Sequence, residues 1–284
     1  MKLKGLRRSR NIEDRRRSGG GGGARGAGIG GVGLIVVLAI GYFAGIDVTP
    51  ILNGMQGGGA VQNAAPRQLS AEEERAADFS ARVLASTEEV WTELMPGQAG
   101  QDYRPPVMVL YSGITRSPCG GASGATGPFY CPADRKAYLD TEFFATLSQQ
   151  LGARGDFAAA YVIAHEVAHH VQNELGILGQ VNDARQSSSE RQANALTVRL
   201  ELQADCLSGV WAQAVGDLLE PGDIDEALNA ARRIGDDHLQ RQAGRVPQPH
   251  TFTHGTSEQR SRWFATGYEA GQIGACDTFG AQQL

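Results

Sequence analysis

Near the middle of the chain, Ala164-His165-Glu166-Val167-Ala168-His169-His170 has the residue types and the spacing for metal chemistry. Residues four apart on an α-helix share a face, one turn above each other. His165 and His169 can therefore each aim a ring nitrogen at one ion. Glu166, beside the first of them, can reach a water on that ion. Neutral imidazoles suit zinc (Zn2+), and a site with three protein ligands leaves a position for water. The metal lowers the pKa of that water and a carboxylate takes its proton, which is apparatus for hydrolysing an amide. The plainer reading is two histidines on an ordinary helix. His170 points about 100° round the helix from His169 and is expected to pack or to support rather than to ligate.

A third donor is available at a plausible place. Glu201 and Asp205 stand four apart within Arg199-Leu200-Glu201-Leu202-Gln203-Ala204-Asp205-Cys206. They interrupt an apolar, Ala-rich helical stretch over residues 190–218, and buried carboxylates need a partner. Glu201 can complete a His/His/Glu set. Asp205 can accept the free N–H of a ligand histidine and fix its tautomer. Otherwise both acids are solvated surface groups.

H-E-x-x-H followed some tens of residues later by E-x-x-x-D resembles the gluzincins. The wider context of AYVIAHEVAHHVQNELG, RLELQADCLSGVW and HGTSEQRSRWF is similar to the bacterial neutral zinc metallopeptidase family. The likeness runs from about Tyr103 to the C-terminus and includes the N-terminal anchor. It implies an α+β fold: a mainly helical gluzincin-like metallopeptidase core with a small β-sheet, preceded by one transmembrane helix. It also implies that the edge strand of that sheet lies along the cleft, which would put residues 127–131, or the loop before them, at its border. A structural hairpin is the rival reading. In related membrane zincins a His and an Arg follow the third ligand, and His254-Gly-Thr-Ser-Glu-Gln-Arg260 is similar to that segment. His254 is then a candidate donor to an oxyanion, and Arg260 a candidate partner for an acid near the site.

The elements that must position these residues are partly readable. Asp156 is a fair N-cap and Gly176 a fair stop for the helix bearing His165 and His169. Ser70 with Glu73 makes a capping box that opens an earlier helix, which Pro96-Gly97 should end. Val107-Met108-Val109-Leu110-Tyr111 reads as a strand. The small-residue stretch 117–128 reads as a loop, and 129–131 and 136–140 as two strands joined by Pro-Ala-Asp-Arg. Residues 141–151 should be helical, 173–190 a polar connection and 223–242 one helix, with a last helix after the segment containing His254.

The first 26 residues are basic and Gly-rich, with a composition that predicts a disordered tail. Residues 27–46 carry no charge and are long enough for a bilayer core. Basic residues before this run and Asp47 after it predict a single anchor with the N-terminus cytoplasmic and the remainder outside, a cleaved signal peptide being the rival. Residues 47–69 read as a flexible linker and 70–284 as the zinc metallopeptidase domain. The 284-residue chain has 26 Lys+Arg against 31 Asp+Glu. Setting aside the nine basic and two acidic residues before Ile46 leaves 17 against 29, an acidic domain ill suited to nucleic acid.

The four cysteines, Cys119, Cys131, Cys206 and Cys276, lack zinc-cluster spacing. An even number outside the cytoplasm predicts disulfides. Cys119 and Cys131 flank the Gly/Ser loop as a local pair, and Cys206–Cys276 follows by elimination. The expected function is a membrane-anchored zinc-dependent peptidase, cleaving a peptide or protein with Glu166 as general base. The alternative is a catalytically silent scaffold on the same fold. The sequence sets neither cleavage preference nor oligomeric state.

Overall fold

The computed structural model describes residues 1–17, 68–123 and 127–284. Helix α1 spans Ala71–Ala99 and opens on the predicted capping box: Ser70 accepts from the Glu73 amide, and the Glu73 carboxylate accepts from the Ser70 amide. It does not stop at Pro96. The last turn is exposed, so the amide that proline lacks costs little there, and Gln98 ties that turn to the backbone of Gly271 and Ile273. Gly100, with φ of 67°, ends the helix.

The strands are β1 (Ile12–Asp14), β2 (Val107–Tyr111), β3 (Ile114–Ser117), β4 (Gly120–Ser123), β5 (Phe129–Cys131) and β6 (Lys136–Asp140). One sheet has the order β1-β2-β6-β5, with β1, β2 and β6 mutually parallel and β5 antiparallel to β6. Strands β3 and β4 form a separate hairpin, so the stretch read as a loop is partly paired.

Helices follow: α2 (Phe143–Gln149), α3 (Asp156–Glu174), α4 (Ile177–Gln186), α5 (Glu190–Ala214), α6 (Asp223–Arg233), α7 (Asp236–Gln242) and α8 (Ser257–Ala270). Gly155 caps α3 one residue before the predicted position, and Gly176 terminates it with φ of 74°. The expected polar connection is helix α4, because Leu178 and Val181 pack with Leu200 under its polar face. The expected helix over 223–242 is two helices broken at Gly235, where a Cβ would stand 2.4 Å from the Ser257 nitrogen.

Helix α3 is the buried axis of the molecule. Phe157, Tyr161, Ile163, Ala164, Val167 and Val171 are all essentially inaccessible, packed among α1, α5 and α6. An all-round apolar helix has to be covered on every side. Helices α5 and α8 cross at backbone contact. A Cβ on Gly267 would fall 1.8 Å from the Cys206 carbonyl oxygen, and one on Gly209 2.1 Å from that of Phe264. That crossing sets the depth at which Arg260 meets α5. Both expected disulfides are formed, Cys119–Cys131 and Cys206–Cys276.

The N-terminal segment is a correction. Residues 1–17 are not a disordered tail but part of the domain. Strand β1 adds to β2, and Ser9 and Asn11 bond the buried Glu88. Arg16 is 5% exposed and donates to the Glu73 carbonyl at 2.6 Å. The Met1 ammonium lies 3.0 Å from Asp156, at the start of α3. Hydrogen bonds and ion pairs, rather than apolar burial, hold the segment, which is why its composition reads as disorder. Arg17 and Glu74 stand 3.1 Å apart. A single crossing between them would separate them by a bilayer core of about 30 Å, so a cytoplasmic tail with the domain on the opposite side does not fit this fold. The uncharged run 27–46 and the linker lie outside the described residues. Among the described residues no helix is long and apolar enough to cross a membrane.

Candidate metal centre

Helix α3 contributes His165, Glu166 and His169, and α5 contributes Glu201 and Asp205. The helices pack so that one nitrogen of each histidine faces the same carboxylate oxygen. His165 Nε2 is 3.0 Å and His169 Nε2 3.5 Å from Glu201 Oε2. One ligand atom from each of the three residues lies within 4.8 Å of the others. Zinc bonds of ~2.0–2.1 Å at tetrahedral angles put ligand atoms roughly 3.3 Å apart, so this donor set fits zinc in both type and spacing. His165 and Glu166 are buried, whereas His169 and Glu201 each keep 12% of the side chain accessible, on the open side of the site.

Each histidine has its other nitrogen engaged. His165 Nδ1 donates to Asp205 Oδ1 at 2.9 Å. Asp205 is fully buried and also accepts from Tyr161 Oη at 2.5 Å and from Arg260 Nε and Nη2 at 2.8 and 2.9 Å. His169 Nδ1 meets Gln172 Oε1 at 2.8 Å. His170, as expected, turns away: it is bound between Tyr130 Oη, at 3.0 Å, and the Arg104 carbonyl, joining α3 to the sheet.

The electrostatics follow from these contacts. Burial works to keep His165 neutral, but the Asp205 and Glu201 carboxylates outweigh it and raise its pKa to about 10. Burial would raise Glu201, yet the charges of His169 and His254 and the bond from His165 hold it well below the usual carboxylate range. Asp205 is likewise held down to about 2, burial being overcome by Arg260 and His165. Glu166 is pushed up, chiefly by burial. A buried carboxyl with a raised pKa is a better proton acceptor than a solvated one.

His254 sits near enough for its charge to act on both Glu166 and Glu201. The residue that places it is Asp236, at the start of α7. Asp236 Oδ2 accepts the backbone N–H groups of Thr253, His254 and Gly255 at 2.8, 2.6 and 3.0 Å, and its Oδ1 lies 3.5 Å from His254 Nδ1. Burial lowers the pKa of His254, but Glu201 and Asp236 more than offset that, so it is raised. Tyr161, Gln172, Gln203 and Asp236 were not anticipated from sequence. Gln172 carries a local signal, three residues after His169 on one helix. Asp236 carries none, since only the tertiary fold brings it to residue 254.

Comparison with known proteins agrees with this geometry. The chain is similar to a protein of Escherichia coli strain K12 described as "Uncharacterized protein YpfJ", with 46% identity over 290 residues that cover 99% of both chains. It is 44% identical over 219 residues to "Uncharacterized protein Rv2575" of Mycobacterium tuberculosis strain H37Rv, covering 72% of this chain and 71% of the relative. No solved structure matches. Residues 1–279 match one family along nearly the whole chain, so the chain belongs to the family described as "Putative neutral zinc metallopeptidase".

Proposed function

We propose that this protein is a zinc-dependent peptidase, with zinc held by His165, His169 and Glu201 and with Glu166 as general base. The observation that carries the proposal is the convergence of two Nε2 atoms on Glu201 Oε2 while both Nδ1 atoms are engaged behind them. A solvated acid and two packing histidines have no reason to share one oxygen from two helices. Bound zinc would polarise the substrate carbonyl and lower the pKa of a water. The rest falls to the chain's own groups. Glu166 takes a proton from the attacking water as its oxygen bonds to the carbonyl carbon. It then gives that proton to the amine nitrogen as the C–N bond breaks. His254, whose pKa Glu201 and Asp236 raise against the effect of burial, donates to the oxygen on which negative charge develops. Asp205 and Arg260 keep His165 in the Nδ1–H tautomer.

Among the described residues strand β5 pairs only with β6, and it packs against α3, so an extended peptide can add to its outer edge by main-chain hydrogen bonds. Both disulfides suit an oxidising compartment outside the cytoplasm. The uncharged run 27–46 is a candidate membrane contact, with both of its flanks on the domain's side.

The test pairs zinc content with cleavage of a mixed peptide library. The parent should bind about one zinc and cut, while Glu166→Gln should bind zinc and not cut. A parent that binds zinc yet leaves every library untouched favours the silent scaffold.

A further inference from the structure

The two histidines at the centre are supported by different chemistry. His165 leans on a carboxylate, His169 on the neutral side chain of Gln172. The orientation of that amide is fixed by what lies beyond it. Gln172 Nε2 is 2.7 Å from the Leu200 carbonyl and 3.1 Å from Gln203 Oε1. Gln203 Nε2 is 3.0 Å from the Cys276 carbonyl. A backbone carbonyl only accepts, so each glutamine must turn its NH2 group toward one. Gln172 Oε1 is then left for His169, and Nδ1 must carry the hydrogen that bonds it. In the neutral ring that zinc requires, the lone pair of His169 is then on Nε2, the atom that faces Glu201.

Gln172 is fully buried and Gln203 is 7% exposed. Neither is explained as a surface group, and buried amides are retained only with their partners in place. Both far ends of the chain are anchored. Leu200 lies on α5, one residue before Glu201, and Cys276 is covalently tied to α5 through Cys206. The geometry points to Gln172 as the positioning residue of His169, held in turn by Leu200 and Gln203 of α5, the helix that carries Glu201. This rests on the reading of His165, His169 and Glu201 as zinc ligands.

The experiment measures zinc affinity by chelator competition, together with the visible spectrum of the Co2+-substituted protein, for the parent, Gln172→Met and Gln172→Glu. Methionine keeps the volume but offers His169 no oxygen. Glutamate keeps the shape and the acceptor. Gln172→Met should weaken zinc by about 10- to 100-fold, the usual loss when a supporting hydrogen bond behind a ligand is removed. It should also shift the Co2+ bands, and the metal-free protein should melt somewhat below the parent, because the Leu200 carbonyl and Gln203 Oε1 lose a buried donor. Gln172→Glu should keep zinc within a few-fold and alter the bands, because a stronger acceptor makes His169 a stronger donor. Parental affinity and an unchanged spectrum in Gln172→Met overturn the inference. Should that variant not fold, an unchanged Co2+ spectrum in Gln172→Glu overturns it instead. Zinc loss in Glu201→Gln alongside normal binding in Gln172→Met removes this inference alone. A parent that binds no zinc removes the ligand reading and the inference with it.

Discussion

Arg260 grips Asp205 through two nitrogens, at 2.8 and 2.9 Å, and both side chains are essentially sealed from solvent. Asp205 in turn carries the Nδ1–H of His165. The C-terminal helix α8 thus reaches a candidate metal ligand through one ion pair. Removing one partner of a buried pair strands the other charge, at roughly 3–5 kcal/mol. Arg260→Met should therefore lower stability by that order in chemical denaturation and weaken zinc as Asp205 loses its fixed orientation. A variant as stable as the parent would mean that the pair contributes nothing net.

The raised pKa of His165 predicts a linkage between metal and protons. With a value of about 10, the metal-free site holds a proton on His165 through the neutral range. Zinc needs the neutral imidazole and must displace that proton. Apparent affinity should thus rise roughly tenfold per pH unit from near 6 to 9. Calorimetry at pH 7 in buffers of different ionisation heat should count about one proton released. The metal-free fold should move the other way. A base with a raised pKa stabilises fully below its unfolded value near 6.5 and loses that contribution as pH climbs toward 10. Zinc uptake without proton release would contradict the assigned charge state.

What the sequence disclosed was what helical spacing disclosed. H-E-x-x-H and E-x-x-x-D name their residues because four positions make one turn, and the two faces then had only to meet. Asp236 was hidden because its link to His254 is made by a loop folding back across α7. Helix α4 reads as a polar connection because its polar composition masks the spacing of Leu178 and Val181, which pack on Leu200. Strand β1 is not legible in the sequence because three residues carry no usable period, and the arginines around it look solvated until Glu73, Glu74 and Asp14 are placed opposite them.

The crossing of α5 and α8 offers a test independent of metal. With a Cβ placed 1.8 Å from the Cys206 carbonyl oxygen, Gly267→Ala must push the helices apart. Overpacking of this kind costs about 1–3 kcal/mol, and more where backbone is the obstacle. It also withdraws Arg260 from Asp205. Thermal melting should show the loss in metal-free protein, with a further loss of zinc affinity. Gly274→Ala, which meets nothing within 4 Å, is the control.

The placement of residues 1–17 predicts that both flanks of the uncharged run share one compartment. Single cysteines at exposed Lys2 and Glu258 should then react with a membrane-impermeant thiol reagent from the same side in intact cells. Labelling of one only after the membrane is opened would restore the single-crossing arrangement and release β1 from the sheet.

Glu166 and Glu201 are both carboxylates of one site, and their environments give them different work. Glu201 Oε2 is the atom on which both Nε2 groups converge. Glu201→Gln should lower zinc affinity and, because metal bound only to the native state stabilises it, lower the melting temperature of the zinc form. Glu166 is 8% exposed and its pKa is raised mainly by burial. Replacing it removes a charge that the interior disfavours. Glu166→Gln should keep zinc, melt at or above the parent temperature, and lose hydrolysis, since an amide cannot take the proton from water. Asp205→Asn should fall between the two, with zinc weakened about 10- to 100-fold through a misoriented His165. Metal analysis and melting curves on these variants need no known substrate. If Asp205→Asn loses zinc while Glu201→Gln keeps it as tightly as the parent, Asp205 is the third ligand and the assignment of roles along α5 is reversed.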